Sequence, residues 1–377
     1  MDLTETPAES AFREEARAWL AANVPGGPLP SGDTREGFTA HLAWERALFA
    51  DRWAVVSWPS AYGGRDASVW EWLAFEEEYY RAGAPQRVTQ NGIFLLAPTL
   101  FAFGTREQQD ALLPRMAAAQ DLWCQGWSEP GAGSDLASLT SRASRDEAGG
   151  GWRLSGQKTW TTRGAFCTHL FGLFRSDPAS ERHHGLTYFL VPLDAPGVTV
   201  RGFARLDGDE GFAEVWFDDV FVPDTSVLGG VGSGWKVAMA TTGSERGLTL
   251  RSPGRYTATV DRLLALAASR GVDPVVEDRL AQAWIDAEAY RLFTQQQVSA
   301  EQAGRSRPGE SSLNKLFWSE LDIRLHELAL DILGPDAELE GPWSKGFQFS
   351  LSGPIYAGTN EVQRNIVAER LLGLPRK

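Results

Sequence analysis

The chain has 377 residues, with 36 basic against 49 acidic side chains and a net charge of −13. That excess of acid excludes nucleic acid and anionic membrane surfaces as main partners, because both would be repelled, while the length allows two or three domains with several buried cores. Two cysteines, Cys124 and Cys167, make no disulfide framework, stand near no metal-ligand cluster, and read as small core residues.

The first predicted element is a helix, because the opening "MDLTETPAESAFREEARAWLAAN" lacks the basic and apolar stretches of a secretory signal. Thr6 caps it, Pro7 takes its first position, Glu9 completes a capping box, and Phe12, Ala16, Trp19 and Leu20 share one face. Helical periodicity continues to about Leu122, interrupted by loops at "VPGGPLPSGD" and "WPSAYGGRD". Within it, "VWEWLAFEEEYYRAG" sets Trp72, Phe75, Glu76 and Tyr79 at helical spacing. The longest apolar run, "IFLLAPTLFAF", has 11 residues and is broken by Pro98. A bilayer takes about 20, so the expectation is a soluble, cytoplasmic protein.

From Trp123 the texture changes to short β-rich runs: "WRLSGQKTWTT", "HLFGLFRSD", "LTYFLVPLD", "GVTVRGFARL" and "EVWFDDVFVP". Separated by Gly, Pro and Asp, they predict an antiparallel barrel or sandwich. After "LGGVGSGW" long helices return; Asp273 and Pro274 open one whose apolar positions include Val276, Leu280, Ala283, Ala287 and Leu292. The expected divisions are a helical domain over 1–122, a β domain over 123–228 and a helical bundle over 229–377. Two glycine-rich pieces, "EPGAGSD" and "GGVGSG", lie in no strand–helix–strand unit and read as turns. Near the end, Gly358 and Thr359 in "PIYAGTNEVQRN" form a turn and cap before a charged amphipathic helix.

Four motifs, in order, make the chain resemble the acyl-CoA dehydrogenases along essentially its whole length: "WCQGWSEPGAGSD", "GQKTWTT", "SERG" and "GTNEVQRNIVAERLLGLPR". The resemblance implies an α+β fold with an N-terminal helical domain, a middle antiparallel β-barrel and a C-terminal four-helix bundle. It also implies FAD, held between the last two domains and a neighbouring subunit of a tetramer. The implied reaction is α,β-dehydrogenation of an acyl-CoA or related acyl thioester to the trans-2-enoyl thioester, with electrons passed to an electron-transfer flavoprotein.

A flavin gathers negative charge along one ring edge and needs short polar side chains and backbone N–H groups there. By resemblance Ser128 is a flavin-contacting hydroxyl, and Gly126, Trp127, Gly131 and Gly133 expose backbone. Trp160 would lie against the isoalloxazine, with Thr162 on its polar edge. Thr359 and Glu361 match further FAD contacts, Glu361 standing where a glutamine is common. The resemblance counts Ser134 among the cofactor contacts and also, with Arg246 and Gly358, on the substrate side. Taken alone, a tryptophan on a β-run packs in a core and serines among glycines form turns; the motifs in register reverse that reading.

The base is the open question. Many members carry a glutamate where this chain has Ala357. A minority branch carries it instead on a bundle helix, immediately before an arginine, and "TTGSERGL" sets Glu245 and Arg246 at that pair. Neighbours on a helix point about 100° apart, which lets Glu245 face the flavin while Arg246 reaches for CoA. A solvated pair is the ordinary reading of Glu–Arg on a helix, and the missing glutamate weighs against it.

Two departures bear on assembly. The family's Arg-x-x-Phe-Gly is missing from "TVDRLLALAASRGVDPVVED", and "DILGP" puts Asp331 where an amide donor is usual. Together they imply an unlike acyl-CoA dehydrogenase subunit in the tetramer, as in a bacterial branch that acts on bulky esters such as steroid side-chain thioesters. The alternatives are a flavin oxidase or monooxygenase on the same fold, or a non-catalytic partner subunit of a heteromeric dehydrogenase.

Overall fold

Thr6 caps the first helix, α1 (Pro7–Asn23), as its spacing predicts: its hydroxyl accepts from the Glu9 amide at 3.3 Å, and the Glu9 carboxylate accepts from the Thr6 amide at 2.7 Å. The computed structural model describes residues 4–245, 252–305 and 309–375. Next come α2 (Arg35–Ala50), α3 (Val69–Arg81), a π-turn over Asn91–Leu96, α4 (Ala97–Phe103) and α5 (Arg106–Ala117). The strands are β1 (Trp123–Gly126), β2 (Arg142–Asp146), β3 (Gly151–Thr162), β4 (His169–Arg175), β5 (Leu186–Pro192), β6 (Val198–Phe203), β7 (Phe212–Pro223) and β8 (Val227–Leu228). After them run α6 (Gly234–Glu245), α7 (Pro253–Arg270), α8 (Pro274–Gln302), α9 (Glu310–Leu333), α10 (Pro342–Ser350) and α11 (Asn360–Ile366). No described helix is long and apolar enough to cross a membrane.

Packing divides the chain into two units, and α1 and α3 belong with the C-terminal helices rather than with their sequence neighbours. Charge holds α1 to α3. The buried Glu78 carboxylate accepts from Arg13 at 3.0 Å and from Arg17 at 2.9 Å, with Arg81 adding a third guanidinium. Burial alone would raise the Glu78 pKa, but these arginines hold it at about 2. Gly254 brings α7 against α3, since a Cβ there would stand 2.8 Å from the Glu77 Cα. Tyr256, Leu263, Ala287, Trp318, Leu321 and Leu325 fill the core among α7, α8 and α9. Leu292, expected on the inner face of α8, is 40% exposed, and Tyr290 is buried in its place. The 3.6-residue period carries the inner face from Ala287 to Tyr290, so Leu292 points away.

The second unit holds the sheet, in the order β6-β7-β3-β2-β4-β5-β8, with β1 beside β4. Most ladders are antiparallel as expected. The exceptions are the β1–β4 ladder and the single Arg142–Arg175 pairing of β2 with β4, both parallel. They arise because the β2–β3 hairpin carries the chain across before β4, returning it in the direction of β1. Trp152, Leu154, Leu170, Phe174, Phe189, Val215 and Phe217 form the core against this sheet. Helix α6 is tied to α4 by a buried bond between the Thr99 and Thr241 hydroxyls at 2.8 Å.

Candidate cofactor and catalytic site

Strand β3 carries the second motif, and its ladder with β7 loses register between Lys158 and Thr161. Three steps on β3 oppose two on β7, which is a bulge. Inside it Trp160 adopts φ 57°, a left-handed conformation that costs a bulky residue about 1–3 kcal/mol. The indole is 60% exposed, and Phe203 and Phe212 meet it edge-on at centroid distances of 5.3 and 5.5 Å. Strain and two aromatic props therefore hold a flat apolar face toward solvent. Thr161 turns inward, with its buried hydroxyl unpartnered among the described residues, and Thr162 is half-buried.

The first motif docks directly onto β3. The Thr159 amide donates to the Ser128 carbonyl at 2.9 Å, and the fully buried Lys158 ammonium donates to Glu129 Oε1 at 2.7 Å. Glu129 also accepts from the Thr140 amide at 2.6 Å, the Thr140 hydroxyl at 2.8 Å and the Ser141 amide at 3.0 Å. Burial would raise its pKa; Lys158 and these donors instead bring it down to about 2, so it stays a carboxylate. One buried charge thus fastens both ends of the segment from Ser128 to Ser141.

The turn between those ends is closed by reciprocal backbone bonds between Glu129 and Ala132, at 2.8 and 3.0 Å. It leaves Gly131 and Gly133 exposed, with open space where a Cβ would stand. Gly126 and Trp127 are buried instead. A Cβ on Gly126 would meet the Leu170 side chain at 2.8 Å, and Trp127 packs edge-on to Tyr188 with its indole N–H buried and unpartnered among the described residues. Ser128 is half-buried, and exposed Ser134 adjoins the Asp135–Arg182 ion pair.

In the helical unit, Ala357 adopts φ 55° and Gly358 φ 79°. The Gln363 amide holds this left-handed pair, donating to their carbonyls at 2.9 and 3.2 Å. Thr359 caps α11, accepting from the Val362 amide at 3.3 Å. Asn360 anchors the cap to α9, its carbonyl accepting from the buried Lys315 ammonium at 2.7 Å. Glu361 is exposed. Glu245 is the last residue of α6; its side chain, and Arg246 altogether, lie outside the described residues.

This donor set fits a flavin. An outward aromatic face, hydroxyls at Ser128 and Thr162 and an exposed glycine turn suit a flat ring with one polar edge. Sequence reasoning missed Glu129, Lys158, Asn360 and Gln363, which build the loops rather than line them. The available signal was a lysine buried in the β-run "GQKTWTT".

Family models for acyl-CoA dehydrogenases match nearly all of the chain: the N-terminal domain over residues 6–120, the middle domain over 124–220 and the C-terminal domain over 232–372. "Acyl-CoA dehydrogenase IpdE1" of Mycobacterium tuberculosis is 42% identical, over 97% of this chain and 98% of the relative. A solved structure described as "Tcur3481-Tcur3483 steroid ACAD" matches with a TM-score of 0.90 and 29% identity, covering 100% of both chains. The ChsE4-ChsE5 complex from Mycobacterium tuberculosis matches at 0.86 and 29%, again over 100% of both chains.

Proposed function

Because the chain belongs to the acyl-CoA dehydrogenase family, we propose that it converts a bulky acyl-CoA to the trans-2-enoyl thioester with Glu245 as the base. It is an FAD-dependent acyl-CoA dehydrogenase. FAD, when bound, supplies the acceptor for the hydride that leaves the substrate's β-carbon. Trp160 offers the ring its outward face, Ser128 and Thr162 donate along the edge that gathers charge, and the exposed Gly131 and Gly133 contribute backbone, while the buried Gly126 and Trp127 support the strand beneath them. Thr359 and Glu361 add further FAD contacts, while Ser134, Arg246 and Gly358 hold the thioester. Glu245 removes the α-proton, which requires a desolvated carboxylate whose pKa burial can raise by about 3–5 units.

The observation that carries this reading is Trp160: a strained, exposed tryptophan braced by two phenylalanines has no packing reason to face outward. Changing Trp160→Ala should alter stability in denaturant by no more than about 1 kcal/mol, since little buried surface is lost. Flavin per chain, read from visible absorbance, should drop sharply. Unchanged flavin content would remove Trp160 from the site.

Substrate and assembly rest on the same premise. Ala357 leaves room where many members place a glutamate, and the similar solved structures include steroid and two-subunit complexes by name. Asp331 is ion-paired with Arg279 at 2.8 Å rather than free to meet a pyrophosphate. We read the chain as one subunit of a tetramer with an unlike dehydrogenase partner, feeding electrons to an electron-transfer flavoprotein, with domain limits at 122 and 228. Anaerobic bleaching of the flavin by a panel of acyl-CoA esters tests this. Ring-bearing esters should reduce it and short straight chains should not; the reverse order refutes the substrate class. A stable yellow homotetramer with full FAD from this chain alone refutes the unlike partner.

A further inference from the structure

Behind the terminal loop lies a fully buried amide, Gln363 on α11, to which the reaction above gives no part. Its Nε2 donates to the Ala357 carbonyl at 2.9 Å and to the Gly358 carbonyl at 3.2 Å. With two carbonyls opposite, the nitrogen and not the oxygen must face them. The Oε1 is then left buried, without a partner among the described residues. An apolar side chain of the same size would fill this place without that unpaired acceptor, which is costly. Packing therefore gives no reason for an amide here; its effect on the two carbonyls does.

Both peptides that carry those carbonyls are trans, so the N–H of each points opposite to its C=O. Turning the Ala357 and Gly358 carbonyls inward turns the Gly358 and Thr359 N–H groups outward, and no described residue accepts from either. The loop does not take this shape freely, because φ 55° at Ala357 lies in the region that favours glycine. Its far end is fixed as well. The Asn360 side-chain carbonyl accepts from Lys315 at 2.7 Å and from the Ser319 hydroxyl at 3.1 Å, and the Asn360 amide donates to the Pro354 carbonyl at 2.9 Å.

We propose that Gln363 is a positioning residue for the dehydrogenation: by drawing the Ala357 and Gly358 carbonyls inward it aims the Gly358 and Thr359 N–H groups at the bound thioester and flavin. This rests on the functional reading above, in which Gly358 holds the thioester and Thr359 the FAD. Gln363 touches neither; it fixes the backbone that does, before either arrives.

The holoenzyme, with its partner subunit where FAD retention needs one, tests this through Gln363→Met, which keeps the volume and removes the donor. The denaturation midpoint of the flavin-free chain should match the parent's, since loss of the two hydrogen bonds is offset by removal of the unpaired oxygen. The acyl-CoA concentration that half-saturates anaerobic flavin bleaching should rise about tenfold, and the FAD dissociation constant severalfold. The limiting bleaching rate should stay within about threefold, because the base is on another helix. Gln363→Glu, which keeps the shape but turns an oxygen toward the carbonyls, should lose at least as much affinity. Adding Ala357→Gly to Gln363→Met removes the backbone strain that the amide holds in place and should restore part of the affinity. Half-saturation unchanged in both Gln363 variants overturns the proposal, as does an affinity that falls only together with the midpoint and is not restored by Ala357→Gly. A parent holoenzyme that no acyl-CoA bleaches refutes the reaction itself, and the proposal with it; a bleaching parent with unaffected variants refutes the proposal alone.

Discussion

Replacing Lys158 by methionine should destabilise the sheet-bearing unit by about 3–5 kcal/mol, the cost of leaving a buried partner charge uncompensated. Lys158 is fully buried and its ammonium lies 2.7 Å from Glu129, which is itself 4% exposed at the side chain. The carboxylate cannot relax toward water without abandoning the Thr140 and Ser141 amides. Adding Glu129→Gln to Lys158→Met should recover part of the loss, because the uncompensated charge is gone and the amide oxygen still accepts from the Thr140 amide and hydroxyl, while the bond from the Ser141 amide is given up. A double variant as unstable as the single would deny the coupling.

The pH dependence has a definite sign. In the parent chain the Glu129 pKa is depressed from 4.5 to about 2. Its contribution, about 3 kcal/mol, is therefore complete above pH 4.5 and lost as pH falls through the folded value. With Lys158→Met, only the Thr140 and Ser141 donors still oppose burial and the depression of the Glu129 pKa is smaller, so the deficit against the parent shrinks on acidification. Denaturant titrations at neutral and mildly acidic pH read this directly. Hydrogen exchange at the Thr140 and Ser141 amides should quicken at neutral pH.

How much of this was legible depended on range along the chain. The capping box of α1 is local: Thr6, Pro7 and Glu9 determine it among themselves, and the sequence shows it directly. Strands β3 to β7 were legible because each is a continuous β-branched and aromatic run between turn residues. The Glu129–Lys158 pair joins residues 29 apart, and no periodicity announces a contact of that kind. The bulge at Trp160 was equally hidden, since "KTWTT" contains no turn former and the extra residue exists only relative to β7. Likewise the joining of α1 and α3 to the C-terminal helices rests on Arg13 and Arg17 finding Glu78, more than 60 positions away. Site residues were nameable from motifs; the groups that set their geometry were not, because those act across the fold.

Changing Glu245→Gln should lower turnover by about 10²-fold to 10⁴-fold, the usual contribution of a positioned general base, with flavin content and stability unchanged. Glutamine keeps the shape and removes only the ability to take a proton. Turnover alone would not separate a lost base from a displaced substrate, so a second readout is needed. Exchange of the substrate's α-proton with deuterated water, measured with a thioester unable to lose its β-hydride, reports proton removal by itself. It should fall with turnover in Glu245→Gln. Ala357 provides the reciprocal arm: its φ of 55° is uncomfortable for any side chain, so Ala357→Glu in that background should restore little exchange. Exchange that persists in Glu245→Gln would take the base away from this helix. Full rescue by Ala357→Glu would instead mean that the terminal loop accepts a base and that the alanine there serves substrate bulk alone.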